Sequence, residues 1–160
     1  MRQIWALIMA FLMAGCATSP TATPVTPQPE QNTTQITVDE EDTLVKMNVQ
    51  IGDKIFTATL EDNQAVAELV EMMEAGPVTL QLDDYGGFEK VGYLGRSLTT
   101  SNSQTTTSAG DIVLYNGDNI VMFYGSNSWS YTRLGRIDDL NGWADALGHG
   151  SVTAVLTLAH

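Results

Sequence analysis

An arginine set among aromatic residues is the pattern in this sequence that comes nearest to a working site. Arg96 follows Tyr93-Leu94-Gly95, and Phe123 and Trp129 come later in the chain. An apolar pocket with one guanidinium donor is enough to favour a twisted prolyl amide, lowering a barrier of roughly 18–20 kcal/mol without any nucleophile. The same four residues would equally line a site that holds a peptide or small ligand and leaves it unchanged. The plain alternative is Arg96 paired with a surface carboxylate, with Phe123 and Trp129 packed in the core or at its edge. Arg133 and Arg136, either side of Leu134-Gly135, could clamp an anion through paired guanidinium hydrogen bonds. They could also pair with Asp138, Asp139 or Glu89.

The other reactive residue types lack partners at a useful spacing. Asp83 and Asp84 are adjacent, and neighbours on a strand point to opposite faces, so they read as turn formers rather than as an acid/base pair. His149 sits between two glycines with no serine or cysteine tied to it by motif, and reads as a solvated histidine. Ser126-Asn127-Ser128 has no Gly-x-Ser-x-Gly elbow and reads as a loop. The glycines form neither Gly-x-Gly-x-x-Gly nor a phosphate loop, so nucleotide binding has no support.

Composition narrows the classes further. With 160 residues there is room for one modest domain. The formal charge is -12, with no basic stripe to meet a phosphate backbone, so nucleic acid is not an expected partner. One cysteine excludes an internal disulfide, and with two histidines it makes no zinc cluster. No metal and no cofactor are expected.

The first residues read as an export signal. The apolar run over 4–13 is too short to span a bilayer, which needs about 20 residues, and suits the core of a signal peptide. It ends in Leu12-Met13-Ala14-Gly15-Cys16, which resembles a bacterial lipobox. The resemblance implies a signal peptide over 1–15, lipidation of Cys16 and acylation of the new amino terminus, a palmitate-type anchor. The alternative is an ordinary signal peptide that happens to contain a cysteine. Ala17 after the cysteine, by likeness to Gram-negative sorting patterns, points to the outer membrane, facing the periplasm. Residues 16–42 then form a disordered Thr/Pro/acidic linker with four of the five prolines and Asp39-Glu40-Glu41-Asp42 at its end. The membrane is expected as a partner through the lipid anchor only.

Residues 43–160 must build the scaffold, since they hold ten of the twelve aromatic residues. Residues 44–51 and 55–60 alternate apolar and polar around Gly52-Asp53-Lys54, a β-hairpin. Asp62 or Asn63 can cap a helix carrying Ala65, Val66, Leu69, Val70 and Met73 on one face, ended by Gly76-Pro77. Strands are expected at 78–82, 112–115, 120–124 and 151–158, and a short helix at 141–147. The polar stretch over 99–108 reads as a mobile loop or flap. This gives about eight strands and two helices, a pattern that fits a barrel or a sandwich.

Three segments carry a resemblance. Asp83-Asp84-Tyr85-Gly86-Gly87-Phe88-Glu89-Lys90, Gly110-Asp111-Ile112-Val113-Leu114-Tyr115-Asn116-Gly117 and Trp129-Ser130-Tyr131-Thr132-Arg133-Leu134-Gly135 look like the bacterial cyclophilin-like fold family, from about Met47 onward. The resemblance implies a mainly β fold, a closed cyclophilin-like antiparallel β-barrel capped by two short helices. True cyclophilins carry Phe-His-Arg on a strand, and this chain has none. Its nearest match is Val121-Met122-Phe123-Tyr124, which would make Phe123 the pocket phenylalanine, Trp129 a rim residue and Arg96 the donor. The first reading is therefore an envelope-tethered binding module for a peptide or small molecule, using Tyr93, Arg96, Phe123 and Trp129 and gated by 99–108. A periplasmic peptidyl-prolyl cis-trans isomerase, with Arg96 and Phe123 as its catalytic residues, and a structural or assembly domain are the alternatives.

Overall fold

The computed structural model describes residues 44–160. The signal peptide over 1–15, Cys16 and the linker over 16–42 lie outside the described residues.

β1 (Lys46–Ile51) buries Met47, Val49 and Ile51 and turns outward the residues between them. Gly52, at φ +61°, makes the turn into β2 (Lys54–Leu60). α1 (Gln64–Ala75) starts at Asn63, whose side chain accepts the Val66 N–H at 3.1 Å and donates to the Arg133 carbonyl at 2.8 Å. The cap thus sets the start of the helix and fastens it to the sheet. Ala65, Val66, Leu69 and Met73 form the buried stripe. The remaining elements are β3 (Val78–Tyr85), β4 (Glu89–Tyr93), β5 (Ser103–Thr106), β6 (Asp111–Tyr115), β7 (Asn119–Phe123), β8 (Ser128–Ile137), α2 (Trp143–Leu147) and β9 (Val152–Leu158).

Every pairing is antiparallel, in the order β2-β1-β9-β3-β4-β7-β6-β8-β5. β2 also pairs with β8, at Ala58↔Ile137, Thr59↔Arg136 and Leu60↔Gly135. That contact closes eight strands into a barrel, so neither β2 nor β8 is left as a free edge there. The fold is the closed antiparallel barrel with two short helices, and the closure decides against a sandwich. The ninth strand, β5, lies in the stretch expected to be a free flap. It pairs with β8 from Ser103↔Tyr131 to Thr106↔Ser128. Its flanks are held too: Thr99 donates its N–H (2.8 Å) and hydroxyl (2.6 Å) to the Glu68 carboxylate, and the Ser101 N–H donates to Thr132 Oγ1 at 2.8 Å. Residues that read as loop chemistry here supply backbone pairing to β8, and the Thr99 and Thr132 hydroxyls add side-chain hydrogen bonds.

The packing forms two separate cores. The larger joins the inward faces of the strands to α1, Trp143 and Leu147. Trp143 stands edge-on to Phe56 at 5.0 Å and donates its indole N–H to the Phe123 carbonyl at 2.8 Å. The smaller holds Val113, Val121, Phe123 and Tyr131, with Phe88, Val91 and Tyr115 packed against it. On β7, Ile120 and Met122 belong to the larger core and Val121 and Phe123 to the smaller. Since successive strand residues face opposite ways, the smaller core lies on the outside of the barrel wall.

A fully buried lysine ties down one part of the inward face. Lys90 Nζ donates to Asp84 Oδ1 at 2.8 Å and to the Gly150 carbonyl at 2.6 Å, and lies 5.6 Å from the centre of the Tyr124 ring. Asp84 also accepts the Tyr124 hydroxyl at 2.5 Å. The hydrogen bonds from Lys90 and then Tyr124 hold the Asp84 carboxyl below its usual range.

Candidate functional site

The outward core opens into a groove with a volume of about 460 Å³, lined by Tyr85, Glu89, Val91, Tyr115, Val121, Asn127, Trp129 and Tyr131. Each element supplies one side of it. Tyr85 comes from β3, opposite Glu89 in the β3–β4 register, and Glu89 is in turn opposite Phe123 on β7. Val91 and Val121 are also partners across β4 and β7, and form an apolar floor. Tyr115 from β6 meets Tyr131 from β8 edge-on at 6.2 Å, and Tyr131 meets the buried Phe123 ring at 5.8 Å. Trp129, with 58% of its surface exposed, forms a wall. Asn127, in the loop before β8, is held by Thr107 just after β5 and by Tyr131: its N–H donates to Thr107 Oγ1 (3.1 Å), its carbonyl accepts the Thr107 N–H (2.8 Å), and its side chain donates to the Tyr131 hydroxyl (3.1 Å).

Glu89 is the charged group of this groove. It is 94% buried, being 6% exposed, and its Oε2 has no hydrogen-bond partner among the described residues. Burial pushes its carboxyl up to about 7, because the ionised form loses water and gains no donor in return. Burial also raises the Tyr131 phenol, and the charge of Glu89 adds to that rise. The groove therefore combines aromatic walls, an apolar floor and one carboxyl poised between its neutral and ionised forms.

The four residues singled out from sequence occupy different places. Trp129 lines the groove, and Phe123 lies fully buried beneath it, against Tyr131. Tyr93 is exposed on the same face of β4 as Glu89 and Val91, beyond the lining residues. Arg96 is in the connection from β4 to β5, where its charge helps to lower the Glu68 carboxyl of α1 after the stronger effect of the Thr99 hydrogen bonds. Among the described residues, no arginine lines the groove.

The other expected pairings change. Arg133 and Arg136 face Asp111, at 3.6 and 3.9 Å, in place of Asp138, Asp139 or Glu89. Asp111 is buried on the outward face and also accepts the Ser108 N–H at 2.8 Å, which makes it the nearest counter-charge to both. Asp138 is occupied by Lys46 at 2.8 Å. Asp83 and Asp84 lie inside β3 rather than in a turn, and Gly86 and Gly87 make the turn at φ +64° and +75°. As strand alternation requires, Asp84 faces Lys90, while Asp83 accepts the Ser151 hydroxyl at 2.6 Å.

Glu89, Tyr85, Tyr115 and Tyr131 were not selected from sequence. One signal was present: residues 112–115 and 120–124 are continuous apolar runs, the mark of strands buried on both faces. A second, outward core is what such runs imply.

The model of the cyclophilin-like family matches residues 49–158, more than half of the chain. The chain belongs to the cyclophilin-like family. Its barrel is also similar to the solution structure of a hypothetical protein from Archaeoglobus fulgidus, with a TM-score of 0.53 and 15% identity, over 72% of this chain and 95% of that one. At that identity the likeness is one of fold alone. No curated protein matches the chain. The match to the cyclophilin-like family covers every residue of the groove, from Tyr85 to Tyr131.

Proposed function

We propose that this member of the cyclophilin-like family is an envelope-tethered binding module that holds a peptide or small ligand in the groove over Val91 and Val121, without catalysing a reaction on it. The observation that carries the reading is the groove itself: aromatic walls around one buried carboxyl, of a size ordinary for a small-ligand site. The lipobox-like Leu12-Met13-Ala14-Gly15-Cys16 supports the tether. The isomerase alternative has less support, since the groove lining lacks the arginine donor that a twisted amide needs and Phe123 is covered by its neighbours.

Binding and catalysis separate in one experiment, an NMR titration of the full-length chain with a short X-Pro peptide that also reads cis–trans exchange. Shifts confined to groove residues, with no faster exchange, are the expected result. Faster exchange that disappears in Arg96→Ala would install the isomerase in its place. No shift at millimolar peptide would remove peptide from the ligand classes. The tether has its own test. Labelled palmitate should enter the wild-type protein and not Cys16→Ser, and the variant should leave the membrane fraction.

A further inference from the structure

Glu89 lines the groove, and its buried Oε2 has no hydrogen-bond partner among the described residues. The groups packed about it are Tyr85 from β3, Phe123 from β7, Val91 on its own strand and Tyr131 from β8, with Tyr115 farther along the wall. The titratable ones are the phenols of Tyr85, Tyr115 and Tyr131, and the charge of Glu89 also reaches the Tyr124 phenol, which donates to Asp84. Among the described residues, neither lysine, arginine nor histidine lines the groove, and Arg133 faces Asp111. Ring faces are electron-rich and attract a cation that is weakly hydrated, and a carboxylate completes that attraction. Val91 and Val121 beneath suit alkyl substituents. One carboxylate is too few oxygens for calcium or magnesium, and no cluster of three or more metal-ligating side chains exists among the described residues. A chain of formal charge -12 also draws cations and repels anions.

We propose that the groove is a site for a substituted organic ammonium cation, whose positive centre sits above the Glu89 carboxylate between the Trp129, Tyr85 and Tyr131 rings. This rests on the reading of the groove as a ligand site and names the ligand class. The chemistry is the same whether the ammonium belongs to a free solute or to a lipid headgroup, and the test must tell them apart.

The full-length chain is titrated with choline and, separately, with its neutral carbon isostere 3,3-dimethylbutanol, following the Trp129 indole and the Val91 and Val121 methyl resonances at pH 6 and pH 8. Choline should bind at least tenfold more tightly than the isostere at pH 8. Its affinity should rise roughly tenfold from pH 6 to pH 8, as Glu89 ionises through about 7. Glu89→Gln should abolish both the preference and the pH dependence while the isostere binds as before. Trp129→Ala, a change at an exposed side chain, should weaken choline with the fold intact. Equal binding of choline and the isostere overturns the cation and leaves the groove as a ligand site. Tighter choline binding at pH 6 also overturns it, since that requires a protonated Glu89. If neither compound moves a groove resonance, the cation is overturned, and the peptide titration above then decides the broader reading. Co-sedimentation with phosphatidylcholine vesicles that is lost in Glu89→Gln marks the headgroup as the source, and binding of free choline with no such Glu89-dependent sedimentation marks the solute.

Discussion

Glu89 makes the pH dependence of stability unlike that of an ordinary acidic protein. Its folded carboxyl titrates near 7 against an ordinary value of 4.5, because burial favours the protonated form. The folded state therefore binds the proton more tightly than the unfolded one. The stability this confers is complete below about pH 4.5 and is lost as pH rises through about 7, by an amount on the order of 3 kcal/mol. Asp84, Glu68 and Asp138 work in the opposite direction, since hydrogen bonds lower their carboxyls and their contribution is lost on acidification. Glu89→Gln should thus raise stability by about 3 kcal/mol at pH 8 and by less than about 1 kcal/mol at pH 5, in paired urea melts. An equal effect at both pH values would show that Glu89 is not the titrating group. None of this was readable from Glu89-Lys90 as letters. Alternation sends one inward and the other outward, and an acidic residue facing outward is expected to be solvated. Only the second core on the outer wall removes the water.

Between elements, the buried Lys90 connects three pieces of chain: β4 through its own backbone, β3 through Asp84, and the loop before β9 through the Gly150 carbonyl. Lys90→Met keeps most of the apolar volume but leaves the Gly150 carbonyl without this donor and the Asp84 carboxylate without its counter-charge, with only the Tyr124 hydroxyl still donating to it. A loss of roughly 2–3 kcal/mol is expected, as a lower urea midpoint at unchanged slope. Adding Asp84→Asn should recover part of it, since the uncompensated charge is then gone; a double variant no better than the single would assign the loss to packing instead. The elements themselves were largely visible beforehand. The hairpin, the helix capped at Asn63 and the strands around Asn116-Gly117 follow from period-two and helical spacing and from turn residues. β5 was missed because Ser103-Gln104-Thr105-Thr106 has no apolar alternation. It is a strand because Ser128-Trp129-Ser130-Tyr131 offers it a partner.

For the molecule as a whole, closure rests on backbone meeting backbone. A Cβ at Gly135 would stand 2.5 Å from the Thr59 carbonyl oxygen and 3.1 Å from Leu60 Cα, where β8 crosses against β2. Neither atom can step aside without opening the seam. Gly135→Ala should cost about 3 kcal/mol, at the upper end of overpacking effects. In hydrogen exchange, protection should fall first at Glu61 and Asp138, whose N–H groups bond across the seam to Leu134 and Thr57. Uniform loss of protection, or none, would place the weak point of the barrel elsewhere.

The sequence by itself determined the local units: where the chain turns, which strand positions alternate and where α1 begins. It also carried enough likeness in three segments to name the cyclophilin-like family. Tertiary structure alone decided that Tyr85, Glu89, Tyr115, Trp129 and Tyr131 share one groove and that Arg96 is elsewhere, beside α1. The physical reason is that periodicity specifies that two faces differ but not what each face meets. That was settled when β2 joined β8 and β5 was added outside, giving the outer wall of β4, β7, β6 and β8 a core of its own.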